Sequence, residues 1–291
     1  MSKLNLFCFG FGQVAKNFVN QLKMRKINFE LTVTSRSETE DKKFENIKYQ
    51  NFYFNHKQYD KDLIKNLVNS DHILVSIPPI NGEDIVIENF KKNLEKNKNK
   101  WITYLSATSV YGNHNGEWVD ENSKTNPTSK NGIERLKAER LWINLFKEFN
   151  SPVQIFRLSG IYSNQRNILS RLKKGEAKII KKKNQFFSRI HIEDIASILL
   201  KSIKNFKKGE IYNISDDKPA SMEEVTNYAI KLLGCDEPKT IGYNEIESEM
   251  LKNFYKDSKK VNNKKMKSVF NYKLKYPTFI EGLSYIKDNL I

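Results

Sequence analysis

Residues 4–15 read Leu-Asn-Leu-Phe-Cys-Phe-Gly-Phe-Gly-Gln-Val-Ala, an apolar run that leads directly into a glycine-rich turn. The run Leu4–Phe9 predicts a buried β-strand, and the apolar spacing after the turn predicts a helix from about Gln13 to Lys23. A strand, a glycine turn and a helix in this order are typical of the first unit of a dinucleotide-binding fold.

The turn itself fits the pattern G-x-G-x-x-A. Gly10 permits a tight turn, Gly12 lets backbone N–H groups approach a pyrophosphate, and Ala15 allows the helix to pack closely on the strand. The helix N-terminus carries a partial positive charge that favours phosphate. The pattern therefore predicts a cofactor site at Gly10, Phe11, Gly12, Gln13 and Val14; the alternative is a tight turn that holds no ligand.

The rest of the first half alternates strand and helix patterns, whereas the second half does not. Apolar strands that do not alternate with polar residues are typical of a parallel sheet covered on both faces. Further strands are predicted at 29–34, 72–77, 101–106, 153–158 and 210–214, and further helices at about 84–94, 133–149, 192–203, 222–233 and 279–289. The prediction is an α/β chain with a Rossmann-type, doubly wound parallel sheet over residues 1–160. A smaller, partly interleaved substrate-binding region is predicted over 161–291.

The end of the second strand bears on which nucleotide is bound. NAD sites usually place an acid there for the ribose 2′-OH, whereas NADP sites offer a cation to the 2′-phosphate. Here Thr34 is followed by Ser35 and Arg36, and no acid appears before Glu38, so NADP is preferred over NAD. Loop geometry that brought Glu38 or Glu40 to the ribose would reverse this preference.

A second cofactor-binding segment is predicted at the end of the strand over 72–77. There Ile77, Pro78 and Pro79 follow Ser76 at the carboxyl end of the strand, where open α/β sheets bind their ligands. Their backbone is expected to flank the adenosine ribose, and the alternative is a turn that only ends the strand.

Composition restricts the function classes. The 291 residues carry 50 Lys and Arg against 34 Asp and Glu, a net charge of +16 that is mostly lysine. Because Asn, Ile, Phe and Tyr are also frequent and share A/T-rich codons with lysine, we expect a solvated lysine surface and no nucleic-acid partner. Two cysteines are too few for a disulfide scaffold, and no metal site is predicted. No apolar run is long enough for a membrane span and the N-terminus is not a signal peptide, so a cytoplasmic protein, monomer or homodimer, is expected.

Several motifs in the right order resemble the extended short-chain dehydrogenase/reductases, the NAD-dependent epimerase/dehydratase family. They are WITYLSATSVYG at 101–112, the stretch 127–139 ending in RLKAE, FRLSGIY at 156–162, RIHIEDIA at 189–196 and GEIYNISDD at 209–217. The stretch YPTFIEGL at 276–283 is similar to a less typical branch of that family. The resemblance implies hydride transfer on a hydroxyl or carbonyl of a sugar nucleotide or a similar small, anionic substrate.

The family's catalytic groups are a Tyr-x-x-x-Lys pair on one helix face and a Ser or Thr that hydrogen-bonds the reacting oxygen. The resemblance assigns the lysine to Lys137, which is also expected to bind the cofactor, but Ile133 stands at the tyrosine position and Ala107 at the Ser/Thr position. Thr108 and Tyr111 are therefore candidate catalytic residues.

Further polar groups are expected around the cofactor and the substrate. Ser106 is expected beside the cofactor, and Thr108, Ser159, Arg166 and Arg189 beside the substrate. The alternative function, motivated by the two replacements in the catalytic set, is a dinucleotide-binding protein without redox turnover that acts as a sensor or binds a partner.

Overall fold

A computed structural model describes residues 3–95 and 100–290. The chain divides into two compact units, and each unit is made of three separate stretches of the chain. The first contains the described residues up to 106 together with 134–157 and 196–212, and the second contains 107–133, 158–195 and 213–290. The boundary predicted near residue 160 stays a prediction.

The strands are short, as expected for an α/β chain. They are β1 (Leu4–Phe9), β2 (Phe29–Ser35), β3 (Glu40–Phe44), β4 (Ile47–Asn55), β5 (Gln58–Tyr59), β6 (His72–Val75), β7 (Trp101–Ala107), β8 (Trp118–Val119), β9 (Val153–Leu158), β10 (Gly160–Tyr162), β11 (Ile179–Lys181), β12 (Arg189–His191), β13 (Ile211–Ile214), β14 (Thr240–Gly242) and β15 (Lys260–Val261).

The helices follow the strands in alternation through most of the chain. They are α1 (Gln13–Met24), α2 (Asp62–Val68), α3 (Ile85–Glu95), α4 (Lys130–Phe149), α5 (Ile168–Lys173), α6 (Ile192–Lys204), α7 (Met222–Leu233), α8 (Glu249–Lys256), α9 (Lys264–Phe270) and α10 (Phe279–Leu290), with short 3-10 helices at Thr108–Tyr111 and Tyr243–Glu245.

The main sheet has the strand order β13-β9-β7-β6-β1-β2-β4-β3, with β5 paired to β4. The pairs β1–β2, β1–β6, β2–β4 and β6–β7 are parallel. The chain runs from β1 outward to β2 on one side and later continues at β6 on the other side, so the sheet is doubly wound and has its switch point between β1 and β6. The predicted Rossmann-type fold is confirmed.

One part of this sheet departs from the strand–helix alternation. After β2 the chain forms an antiparallel hairpin, β3 with β4, and β4 then returns parallel to β2. The segment Glu40–Phe44 (EDKKF) is charged and mostly exposed, which suits an edge strand and carries no apolar pattern. The sequence prediction therefore contained no element between Thr34 and His72.

The core of the first unit lies on both faces of the sheet. Strand β1 is almost fully buried and β9 is buried throughout, as expected for central parallel strands. Aromatic and branched side chains from strands and helices form one cluster, which includes Phe7, Phe9, Phe52, Phe54, Ile73, Phe90, Ile102, Tyr104, Trp142 and Ile155. Each such burial contributes about 1.5–3 kcal/mol relative to an exposed side chain.

The second unit has its own core and small sheets. The parallel pairs β10–β12, β11–β14 and β15–β8 each contain two or three residues per strand. Helices α5, α7 and α10 pack around a cluster that includes Tyr162, Leu169, Ala229, Phe279 and Leu283. Across the ranges 3–95 and 100–290, no helix combines the length and the apolar character that a membrane crossing requires.

Candidate functional site

The glycine turn after β1 has the geometry that its sequence predicts. Gly10 has φ of +83°, a conformation that side chains disfavour, and a Cβ there would lie 2.8 Å from Ser76 Oγ and 3.0 Å from Ile77 Cγ1. The Gly10 N–H donates to Thr34 Oγ1 at 3.1 Å, and the Ser76 hydroxyl donates to Phe9 O at 3.0 Å. The turn is thus tied to the carboxyl ends of both neighbouring strands.

Gly12 is the N-cap of helix α1 and faces open space. A Cβ at Gly12 would have no heavy atom within 4 Å, and no side chain of the described residues caps the helix. The first turn also contains no acidic residue. Backbone N–H groups that begin a helix without a capping side chain form a binding place for phosphate. These residues therefore fit the pyrophosphate of a dinucleotide.

The predicted groups at the end of β2 lie on the protein surface. Arg36 is exposed and Ser35 is half-buried. The Ser35 and Ser37 hydroxyls lie 2.7 Å apart, and the Ser37 N–H donates to Ser35 Oγ at 3.2 Å. Glu38 is exposed, and its backbone carbonyl accepts from Asn51 Nδ2 at 2.8 Å.

The predicted cofactor residues after β6 lie beside the glycine turn. Strand β6 pairs with β1 in register, Val75 beside Phe9, so Ile77 and the two prolines continue from the same edge of the sheet as the turn. Ile77 and Pro79 are half-buried and Pro78 is exposed. The first unit thus brings the predicted cofactor segments together at the carboxyl ends of β1, β2 and β6.

Ser106, the residue before the last in strand β7, belongs to the same unit. Its side chain is buried, and within the described chain its hydroxyl has no hydrogen-bond partner. A buried hydroxyl without a partner loses free energy unless a bound group satisfies it. Ser106 therefore fits a polar contact with a cofactor at the carboxyl end of β7, as the sequence predicts.

Helix α4, which carries Lys137, is held on the sheet by buried polar contacts that the sequence prediction did not single out. Arg135 Nη1 donates to Leu105 O at 2.9 Å, and Trp142 Nε1 donates to Asp84 Oδ2 at 2.8 Å. Lys137 itself is exposed on the helix. The position of Lys137 along the sheet is therefore set by its neighbours in α4.

The strongest of these contacts is a buried ion pair between α4 and β9. Arg157 Nη2 lies 2.7 Å from Glu139 Oε2 and Arg157 Nε 3.1 Å from Glu139 Oε1, with both side chains almost completely buried. A two-point contact of this kind is directional as well as strong. Glu139 was visible in the sequence only as part of the family-like stretch ending in RLKAE.

The second unit contains Ala107 and Ile133, the two residues that the sequence resemblance assigns to the family's hydroxyl and tyrosine positions. Ala107 precedes the 3-10 helix that Thr108 begins, and Ile133 is 42% exposed in the first turns of α4. Gly132 lets this helix approach the 3-10 helix, because a Cβ there would lie 2.7 Å from Ser109 O. Thr108 is half-buried and offers a hydroxyl.

Tyr111, the other candidate acid/base, lies in the interior of the second unit. The side chain is completely buried, and its hydroxyl donates to Asn213 Oδ1 at 2.8 Å. The next residue, Gly112, has φ of +70°, and a Cβ there would lie 1.9 Å from Asn126 O. This geometry gives Tyr111 a structural role in the turn and separates its hydroxyl from solvent.

The predicted substrate residues differ in accessibility. Ser159 is buried, and its hydroxyl has no partner among the residues that the structure describes. Arg166 is exposed in a turn closed by its backbone and Ser163. An anionic substrate could therefore reach Arg166, whereas Ser159 lies beneath the surface.

Arg189 is buried rather than open to a ligand. Its Nη1 donates to Phe187 O at 2.9 Å and Ala220 O at 3.0 Å. Burial lowers the pKa of the guanidinium and raises that of the Asp216 carboxyl nearby, while the attraction between the two opposes both shifts. The contact of Arg189 with an anionic substrate stays a prediction, but these carbonyls already occupy part of its donor fork.

Metal chemistry has no visible site in this part of the chain. Among the residues that the structure describes, no three His, Cys, Asp or Glu side chains gather where a metal ion could be held.

The sequence is similar to a protein family and to a known epimerase. Residues 80–215 match the model of the NAD dependent epimerase/dehydratase family. The ADP-L-glycero-D-manno-heptose-6-epimerase of Brachyspira hyodysenteriae is 24% identical over 245 residues, which are 74% of this chain and 77% of that protein.

Solved structures show the same fold over nearly the whole length. A functionally unknown conserved protein from Silicibacter pomeroyi superposes with a TM-score of 0.87 at 30% identity, covering 99% of both chains. UDP-glucuronic acid 4-epimerase from Bacillus cereus, solved in complex with NAD, superposes with a TM-score of 0.76 at 17% identity over 98% of this chain and 99% of that one.

Proposed function

We propose that this chain, whose residues 80–215 match the model of the NAD dependent epimerase/dehydratase family, is an NADP(H)-using oxidoreductase or epimerase of that family. Its substrate is a sugar nucleotide or a similar small, anionic molecule with a hydroxyl or carbonyl group. Two similar proteins are named as epimerases of nucleotide-linked sugars, ADP-L-glycero-D-manno-heptose and UDP-glucuronic acid, which supports this substrate class.

The observation that carries the proposal is the open glycine turn. Gly12 leaves free space at the start of α1, where the helix partial charge favours a pyrophosphate. The preference for NADP is supported by Arg36 and Ser35 at the end of β2, since a guanidinium and a hydroxyl are suited to a 2′-phosphate.

The remaining roles follow the family pattern residue by residue. The nicotinamide ring, when bound, accepts or returns a hydride at the reacting carbon. Lys137 would hold the ribose next to that ring, and the Ser106 hydroxyl would form a hydrogen bond with the bound cofactor. Thr108 would donate a hydrogen bond to the reacting oxygen, and Arg166 would bind an anionic part of the substrate. Because Ile133 has no titratable proton, the proton of the reacting hydroxyl would pass to water instead of to a side chain at that position, and we expect slow turnover.

The second candidate is a dinucleotide-binding protein without redox turnover. It is favoured by Ala107 and Ile133, which remove two of the three groups of the family's catalytic set. Under this alternative, Lys137 contributes only to cofactor affinity, and dinucleotide binding would change what the protein recognises.

One set of measurements separates the two candidates. The purified chain is titrated with NADP, NADPH, NAD and NADH by calorimetry, and the nicotinamide absorbance is then followed with a panel of sugar nucleotides. We expect tighter binding of the phosphorylated forms, with turnover that Lys137→Ala and Thr108→Val each lower. Binding without turnover over the whole panel would favour the second candidate, and no heat with any of the four forms would refute both.

A further inference from the structure

The hairpin β3–β4 lies where a helix usually connects two parallel strands, here β2 and β4, and it packs against the glycine turn. The Phe11 ring lies 5.6 Å from the Phe44 ring and 5.0 Å from the Tyr49 ring, measured between centroids. Lys42 pairs directly with Tyr49 in the hairpin, and it shares one face of β3 with Phe44, two residues later. That face of the edge strand therefore looks onto the proposed nucleotide site, whereas the exposed Lys43 belongs to the opposite face.

Lys42 reaches the end of β2 across this face. Its ammonium Nζ lies 2.8 Å from Ser37 Oγ, which in turn lies 2.7 Å from Ser35 Oγ. Arg36 stands between the two serines and is exposed. An ammonium and two hydroxyls thus lie within hydrogen-bond distance of one another, and the residue between the two serines carries a guanidinium. Donors of these kinds match the oxygens of a phosphate group.

Hydrogen bonds from strand β4 fix the loop between β2 and β3, which carries Ser37. Asn51 is almost completely buried in β4, and its Nδ2 donates to Glu38 O at 2.8 Å. The Tyr53 N–H donates to Thr39 Oγ1 at 2.8 Å. The donors are therefore arranged before any ligand arrives, which lowers the entropy that binding must overcome.

The charges around Lys42 include a competitor. Glu40, two residues earlier on the same strand, lies 2.8 Å from Lys42 Nζ, and its side chain is 56% exposed. An ion pair of this exposure contributes little, and a phosphate with up to two negative charges competes with it effectively. Lys16 adds positive potential, since its ammonium lies 5.8 Å from the centre of the Phe11 ring and 5.3 Å from that of Phe44.

We propose that Lys42 completes a binding site for the 2′-phosphate of NADP, together with Ser35, Arg36 and Ser37. The inference rests on the proposed NADP function and adds to it a specificity-determining residue from the edge hairpin. In this proposal the edge strand β3 provides the second cation of the phosphate site, after Arg36.

The test is a binding titration of the full chain, with Lys42→Met as the variant and Lys43→Met as the matched control on the opposite face of the same strand. The probes are NADPH and NADH, followed by nucleotide fluorescence, and adenosine 2′,5′-bisphosphate and AMP, followed by calorimetry. We expect Lys42→Met to weaken NADPH and the bisphosphate by about 10- to 100-fold, the effect of one charge-assisted hydrogen bond. NADH and AMP should bind unchanged, and Lys43→Met should alter none of the four affinities.

A third variant, Glu40→Gln, tests the competing acid. If Glu40 only pairs with Lys42, its replacement should strengthen NADPH binding and leave NADH unchanged. Weaker NADH binding by Glu40→Gln would instead mean that Glu40 holds the ribose hydroxyls of NAD, which would overturn the inference.

The failures of the two proposals are distinguishable. If the wild-type chain prefers NADPH and Arg36→Met removes the preference while Lys42→Met does not, only the role of Lys42 is refuted. Equal losses in Lys42→Met and Lys43→Met would also refute it, because they would show general electrostatic attraction. A wild-type chain that binds NADH as tightly as NADPH would refute the NADP preference and the Lys42 site together.

Discussion

The glycine turn at residues 10–15 and the segment at residues 107–133 differ in how closely their residues match the motifs of the resembled family. The turn retains both glycines, an open helix N-terminus and a tie to the neighbouring strands through Thr34 and Ser76. By the sequence resemblance, segment 107–133 has an alanine at the position of the family's hydroxyl and an exposed isoleucine at the position of its tyrosine.

This contrast indicates that dinucleotide binding and acid/base catalysis depend on separate features of the fold. A pyrophosphate site is made of backbone, so it depends on a few glycines and tolerates change around them. Acid/base chemistry depends on the identity of one titratable side chain, so a single substitution can remove it while the fold persists. The first, second and last predictions below each test one of these two regions, and the third tests the stability of the second unit at low pH.

The largest effect is expected from restoring the lost groups. Ile133→Tyr combined with Ala107→Ser places a phenol one helical turn from Lys137 and a hydroxyl before the 3-10 helix. Because Ile133 is already exposed, the tyrosine displaces no core side chain. We expect turnover of a sugar-nucleotide substrate to rise by about 10²–10⁴-fold, the usual contribution of a general acid/base.

The control for this gain is Leu141→Tyr, an equally exposed position two turns later on the same helix. It should bind dinucleotide normally and leave turnover unchanged. If the double variant binds cofactor but gains no turnover over the whole substrate panel, segment 107–133 has lost more than two groups and the non-catalytic alternative gains support.

The second prediction attacks the other side of the comparison. Gly12→Asp places a carboxylate where the pyrophosphate is expected, at a position where a Cβ meets no neighbouring atom. We expect dinucleotide binding to weaken by about 100-fold or more, equivalent to about 2.7 kcal/mol. The thermal unfolding temperature should stay constant or rise, because aspartate is a favoured N-cap residue.

The opposite directions of binding and stability make this prediction specific. Gly12→Ala, which adds volume without charge, serves as the control. Unchanged dinucleotide affinity in Gly12→Asp would mean that the helix start is not the pyrophosphate site.

The third prediction concerns stability at low pH in the second unit. His191 is completely buried between the Tyr162 and Tyr276 rings, and its Nδ1 accepts a hydrogen bond from the Glu193 N–H at 3.4 Å. Burial lowers its pKa from 6.5 to about 4, with Glu193 opposing the shift and Lys275 adding to it.

The sign follows from proton binding. The unfolded chain takes up a proton near pH 6.5 but the folded chain only near pH 4, so this contribution is complete above pH 6.5 and is lost as the pH falls towards 4. We expect His191 to account for a loss of about 2 to 3 kcal/mol between pH 7.5 and 4.5. Chemical unfolding of His191→Gln at both pH values should show a pH dependence smaller by this amount.

His72 of the first unit offers the comparison, since burial likewise lowers its pKa to about 4. His72→Gln should reduce the acid sensitivity of the chain in the same window. A pH dependence that His191→Gln leaves unaltered would mean that His191 is solvated in the folded protein.

Much of the fold could be predicted because its signals are local. The strands β1 and β9 and the helix α7 begin and end where the apolar patterns predict. The edge strand β3 could not be predicted, because its charged residues pair only through the register with β4. Helix α2 was missed as well, since its seven residues are too few for a clear period.

The candidate site divides in the same way. The positions of Gly10 and Gly12 follow from one short motif, and Arg36 from its place after β2. The contact of Lys42 with Ser37 depends on how the loop after β2 turns into β3, and that of Tyr111 with Asn213 joins residues that are distant along the chain. No periodic pattern of residues predicts such contacts, so only the folded structure shows them.

The smallest effect is expected at Tyr111 and decides which hydroxyl in segment 107–133 takes part in chemistry. Tyr111→Phe removes the buried hydrogen bond to Asn213 and should lower the free energy of unfolding by about 1 kcal/mol, with turnover and dinucleotide affinity unchanged. Thr108→Val, at the other end of the same 3-10 helix, should do the reverse and lower turnover at nearly constant stability. If Tyr111→Phe instead abolished turnover while the protein unfolded at the wild-type denaturant concentration, the buried phenol would be the missing acid/base. Segment 107–133 would then have kept its chemistry in a different residue, and the contrast with the glycine turn would disappear.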